Sequence, residues 1–152
     1  MKCFKCRKGE LENVRVETVR TMSGMRYVGD LAAVRCSECH ETSVTDAELE
    51  RFELAVAEHA LRFGINGAVK FARKALGMRA NELAALLGLR PETISRWEGG
   101  QQDPDRAWMA VLATLAAERL EGRSTLEREL RAQSEVKAAP PAVVRFPLPA
   151  NG

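Results

Sequence analysis

The residues of this chain with the most chemistry to offer are four cysteines. Cys3 and Cys6 stand in "MKCFKCRKGE", Cys36 and Cys39 in "RCSECHE". A Cys-x-x-Cys-His run such as Cys36 to His40 can attach a c-type haem, a lone Cys-x-x-Cys can exchange disulfides, and two such pairs can close on one metal. Haem attachment needs export and an axial partner, and it leaves Cys3 and Cys6 without a role. Disulfide exchange expects a pair at a helix start near a βαβ pattern, which neither pair has. Two knuckles that each present a pair of thiolates complete a tetrahedron, as a closed structural zinc site requires. One structural Zn per chain on Cys3, Cys6, Cys36 and Cys39 is therefore expected, with His40 a bystander. Zn(Cys)4 carries two net negative charges, and Lys5, Arg7, Lys8 and Arg35 lie near enough in sequence to offset them.

Iron is the rival metal, because the gap between the knuckles resembles that of rubredoxin, which would make this a redox module fused to helices. Against it, the module holds only Phe4 and Tyr27 as aromatics. The elements between the knuckles must bring them together. "LENVRVETVRTM" alternates, with Val14, Val16 and Thr18 on one face and Arg15 and Glu17 on the other, which predicts a half-buried strand. Ser23-Gly24 supplies a turn, and "MRYVGDLAAVRC" predicts one or two returning strands broken near Gly29-Asp30. Residues 1–44 thus read as a small antiparallel β module. So small a sheet buries too little apolar surface to offset its ordering entropy. Structural zinc supplies about 10–16 kcal/mol of apparent binding energy.

Thr45 and Glu48 fit a capping box, and Leu49, Phe52, Val56, Ala60 and Phe63 follow at helical spacing up to Gly64. A linker helix over 45–65 is expected, with His59 as surface filler. From 66 to 122 the pattern is short helices separated by glycines. Leu83, Ala84 and Leu87 stripe one helix, Gly88 permits a turn, and Leu89 plugs the corner. Pro91 opens a second helix, on which Ile94 and Trp97 face inward and Thr93, Ser95 and Arg96 outward. A short, polar, propped helix of this kind suits a major groove. Residues 123–152 read as a charged helix, then a Pro-rich, disordered tail. Sheet and helices are expected to have separate cores. The fold class is α+β in two small domains, an antiparallel β module followed by an all-α helix-turn-helix.

"LAALLGLRPETISRWEGGQQDP" resembles the Xre/Cro family of helix-turn-helix regulators, and Glu98 is similar to the glutamate that ends the family's recognition helix. With the cysteine knuckles and "KGEL", residues 1 to about 120 resemble the MqsA (YgiT-type) antitoxins. That resemblance implies a repressor of its own operon that masks a neighbouring toxin through its zinc module. It implies Arg96 as the base reader, Thr93 and Arg90 on the DNA backbone, and Ser95 and Glu92 on the same face. Glu92 can accept from a cytosine amino group. An ion pair with Glu92 is the plainer role for Arg96. Family members usually have Ser or Thr N-caps where Arg79 and Arg90 stand, and a glutamine where Ala80 stands. A missing cap costs roughly 1 kcal/mol, unless a phosphate takes its place.

The bulk composition narrows the rest. Aromatic residues make up 5% of the 152-residue chain, a poor supply for a large aromatic-lined substrate pocket. No catalytic triad, phosphate loop or nucleotide fingerprint is present, so no enzyme is expected. The net charge of +2 confines any DNA binding to a local patch. The absence of a secretory segment or long apolar run points to the cytoplasm and away from membranes. A palindromic double-stranded operator bound by a homodimer is expected. The apolar helix at 105–120, with Trp108, Val111, Leu112 and Leu115, offers the dimer surface. A stand-alone zinc-containing transcription factor is the alternative.

Overall fold

The computed structural model describes residues 1–135 and 138–150. Strands β1 (Leu11–Met22), β2 (Met25–Cys36) and β3 (Thr42–Val44) form one antiparallel sheet in that order. Six helices follow among the described residues: α1 (Asp46–Arg62), α2 (Ala68–Ala75), α3 (Ala80–Leu87), α4 (Pro91–Glu98), α5 (Arg106–Leu120) and α6 (Thr125–Ser134). The expected α+β order, sheet before helices, is what the structure has. No helix among the described residues is long and apolar enough to cross a membrane.

The hairpin closes at the Met22–Met25 pair. Ser23 and Gly24 both take positive φ, 48° and 82°, the two-residue turn that matches the right-handed twist of its strands. Contrary to expectation, β2 does not break at Gly29-Asp30. It pairs with β1 along its whole length. Gly29 is there because α1 lies on the sheet at that point. A Cβ on Gly29 would come within 2.6 Å of the Phe52 ring and 2.8 Å of Leu31.

Thr45 caps α1 by accepting from the Glu48 amide at 3.2 Å. The other half of the expected capping box is absent, because the Glu48 carboxylate accepts instead from the Ala32 amide of β2 at 3.2 Å and from Arg51. That bond satisfies an edge amide beyond the reach of β3, which pairs only with residues 33–35. Phe63, expected inside, is 69% exposed and stacks on His59 at 4.4 Å. Tyr27 meets His59 edge-on, its hydroxyl 3.1 Å from Nδ1.

The helix expected as a linker is also the spine of the helical core. Ala57 and Ala60 of α1 and Ala113 and Ala116 of α5 have no exposed surface, so the two backbones approach closely. Leu54, Leu61 and Leu112 fill the space around them. Two expectations fail here. Leu112 and Leu115 are not free for a second copy, since they are buried in this core and leave only Trp108 and Val111 half-exposed. Nor are the cores separate. Met22 at the hairpin tip joins the helical cluster, and Arg20 of β1 binds Glu53 of α1 at 2.9 Å. The charged stretch after Gly122 forms α6, whose Leu126 and Leu130 pack on the core. Buried Glu118 accepts from the Leu126 amide at 2.9 Å and so caps α6 from the side. Residues 138–150 carry no helix or strand. Val136 and Lys137, and the last two residues, lie outside the described residues.

The contact at Gly29 is open to test. Gly29→Ala should destabilise the chain by about 1–3 kcal/mol through overpacking, a fall in Tm of roughly 3–10 °C. Phe52→Leu in the same chain should recover part of that loss. A thermal melt of Gly29→Ala that matches the parent would show that sheet and helix do not meet as described.

Candidate metal centre and helix-turn-helix

The two cysteine pairs occupy matching loops at the open end of the hairpin. In the first, the Cys3 carbonyl accepts from the Arg7 amide at 2.9 Å and the Cys3 amide donates to Gly9 at 2.9 Å. In the second, the Cys36 carbonyl accepts from the His40 amide at 3.1 Å and the Cys36 amide donates to Glu41 at 3.0 Å. The residue after each second cysteine, Arg7 and His40, sits in the left-handed region at φ 59° and 57°. Non-glycine residues rarely enter that region, which costs roughly 1–2 kcal/mol. The loops hold these turns because two sulfurs must face inward from each. Gly9 is required by its neighbour, since a Cβ there would collide with the Cys36 sulfur.

The four Sγ atoms lie within 4.8 Å of one another. Cys3 and Cys39 are 3.8 Å apart, and Cys6 and Cys36 are 3.6 Å apart. Four ligands at the usual zinc–sulfur distance of about 2.3 Å stand roughly 3.8 Å apart in a regular tetrahedron. The donor set thus fits a single tetrahedral metal, and four sulfurs suit zinc or iron. The thiols divide unevenly. Amides of Gly9 and Lys8 bring Cys6 down to about 6, and the Cys6 amide leads those that lower Cys3. The Glu41 amide also pulls Cys39 down, but loss of water and the other three sulfurs outweigh it and raise Cys39 to about 11. Four thiolates this close repel one another, and a divalent cation removes that cost. Of the nearby cations, Lys5 is tied to Glu41 at 2.6 Å. His40 is exposed and contributes no ligand atom to the cluster.

In the helical part, α3 and α4 meet at Gly88, and Leu89 closes the corner through its amide on Ala84 at 2.9 Å. Leu83, Ala84 and Leu87 of α3 and Ile94 and Trp97 of α4 are buried, as expected. Arg79 and Arg90 stand at the two N-caps and cannot accept a bond there. At α3, Glu82 reaches back to the Arg79 amide at 3.4 Å, while α4 has no side-chain cap. Arg90, Glu92, Ser95 and Arg96 are exposed and Thr93 is half-buried. Glu92, Ser95, Arg96 and Gln101 line one shallow depression. Among the described residues Arg96 forms no ion pair, so the bond to Glu92 is not made.

Two residues escaped sequence reasoning. Arg73 of α2 donates to Glu98 through Nε and Nη2, at 2.6 and 3.2 Å, and through Nη1 to the Met78 carbonyl at 3.0 Å. The pair is largely buried and fixes the end of α4 against α2, and Glu98 holds the Arg73 guanidinium still more firmly protonated. Gln101 extends the exposed face beyond Gly99-Gly100. A charged pair split between two helices leaves no local periodicity by which to find it. Three arginines of the sheet are engaged within the chain, Arg15 by Asp30, Arg20 by Glu53 and Arg35 by Thr42.

The metal reading predicts one metal ion per chain by elemental analysis and its loss in Cys36→Ser. Through the neutral range Cys39 keeps its proton in the metal-free chain, so metal binding must expel it. Affinity should then fall about tenfold for each pH unit of acidification per proton released, and more steeply below about pH 6, where Cys6 also protonates. A pH-independent affinity would exclude thiol ligation. No curated protein matches the chain. A helix-turn-helix family model matches residues 69–107, the segment from α2 to the start of α5, and this likeness supports a DNA-binding regulator.

Proposed function

We propose that the protein is a DNA-binding transcriptional repressor, and that it serves as the antitoxin of a toxin–antitoxin pair. A zinc-bearing sheet holds the toxin, and the helix-turn-helix represses the shared operon. The observation that carries the DNA reading is α4, buried on its Ile94–Trp97 side and presenting Glu92, Ser95 and Arg96 to solvent within the matched segment. Arg96 is the base reader, Arg90 and Thr93 contact the backbone, and Glu92 accepts from a cytosine amino group. The bare N-cap at Arg90 favours a phosphate at that end of α4. One helix of eight residues covers few base pairs, so a homodimer on a palindrome is proposed, with half-sites about 34 Å apart or a multiple of that.

The toxin reading rests on the resemblance of the combined motifs and on the outer edge of β1. The N-terminal segment covers the start of that edge, where the Leu11 amide donates to the Met1 carbonyl at 3.0 Å; beyond it β1 pairs with no strand but β2 among the described residues, and a free edge is a template for a partner's strand. Zinc is the proposed metal because four thiolates form a closed site that needs no redox change. A second reading, a stand-alone transcription factor with a structural zinc site, is favoured by Met22 and Gly29, which give the sheet a packing task of its own.

Arg96→Ala should weaken operator binding by about 1–3 kcal/mol and relax specificity at one base pair per half-site. A uniform loss over unrelated DNA would make Arg96 a phosphate contact instead. For the partner, full-length Cys36→Ser should keep operator affinity within about threefold, well inside 1 kcal/mol, and lose the protein encoded by the adjacent reading frame. Undiminished capture of that protein by Cys36→Ser would place the toxin elsewhere than on the zinc-bearing sheet, whereas no capture by the parent chain would leave the second reading standing.

A further inference from the structure

A cavity of about 470 Å³ lies where the α1–α2 turn, the last turn of α4 and the first turns of α5 meet. Neither the metal centre nor the exposed face of α4 uses it. Its apolar wall includes Leu61, Val69, Trp97 and Met109, and its volume is that of a small-ligand pocket. Trp97 is 7% exposed and its indole N–H has no hydrogen-bond partner, which is costly for a buried donor.

The electrostatics are one-sided. The first turns of α2 and α5 both line the cavity; α2 begins at Gly67 with no side-chain cap and no acidic residue in its first turn, whereas Asp105 stands at the N-cap of α5, outside the cavity lining. Helix N-termini carry partial positive charge and free amides. Arg62, Lys70 and Arg106 add three cations to the wall. Arg62 is engaged by Glu58, whereas Lys70 and Arg106 form no ion pair among the described residues. Of the two acids in the wall, Glu98 is bound twice by Arg73, which leaves Asp103.

We infer that this cavity binds a small amphiphilic organic anion, a carboxylate or similar head on an apolar body. The body lies against Trp97 and Met109, and the head faces Lys70, Arg106 and the open N-terminus of α2. Because Trp97 and Glu98 belong to α4, the occupied site touches the helix that carries Arg96.

The test needs neither DNA nor a protein partner. The chain has two tryptophans, so full-length Trp108→Phe reports through Trp97 alone. Octanoate should change Trp97 fluorescence saturably, and octan-1-ol should bind about tenfold more weakly, the loss of one charge-assisted contact. Lys70→Met should weaken octanoate binding by a similar factor. Ala110→Phe, which fills the cavity from an exposed position on α5, should abolish it, while thermal melts show both variants folded. Equal binding of acid and alcohol, or an unchanged response in Ala110→Phe, would overturn the assignment. So would inorganic phosphate reproducing the octanoate response, since the rim would then read phosphate alone.

Discussion

The close packing of α1 on α5 is the contact on which the rest of the molecule hangs. Four alanines with no exposed surface let the two helices approach to backbone distance. One face of α1 then closes the helical core while another lies on the sheet. At that crossing, Phe52 presses on Gly29, Glu53 holds Arg20, and Glu48 takes the Ala32 amide. Had either helix carried leucines in place of those alanines, α1 would stand farther out and could not serve both sides at once. The alanines set a distance, and the distance sets the architecture.

Much of this was legible in the sequence because it is local. The knuckles follow from cysteine spacing, the hairpin from strict alternation around Ser23-Gly24, and α3 and α4 from apolar spacing punctuated by Gly88 and Pro91. The buried face of α4 was readable residue by residue. What escaped depends on contacts between distant segments. Gly29 looks like a strand breaker until Phe52 is placed above it. The apolar stripe on α5 looks available to a second copy until α1 is seen to occupy it. Arg73 and Glu98 are unremarkable apart, and only the packing of α2 on α4 makes them a pair. The same holds for Arg15 and Arg20 of the sheet, which are answered by acids from β2 and from α1.

The two halves are ordered by different physics. The helical part rests on apolar burial, with Leu83, Ile94 and Leu112 all fully enclosed, and its one strong internal charge pair fixes an angle more than it adds stability. The knuckles have almost no apolar interior. Their order comes from backbone hydrogen bonds around left-handed Arg7 and His40 and from whatever holds four sulfurs within van der Waals reach. The Met22 end of the hairpin belongs to the first regime and the Cys36 end to the second.

That division turns the hairpin into a spacer. Each long strand has 12 residues, and at about 3.3 Å per residue its ends stand roughly 36 Å apart. One end is seated in the helical core at Met22, and the other carries the cysteines beyond the start of α1. Anything docked on the knuckles is therefore held at arm's length from the hairpin tip, by about one turn of a DNA duplex. Steric exclusion between the two ends is weak by construction. A signal from one to the other would have to travel along the strands as twist or strain, with Gly29 under Phe52 as the point where α1 would feel it.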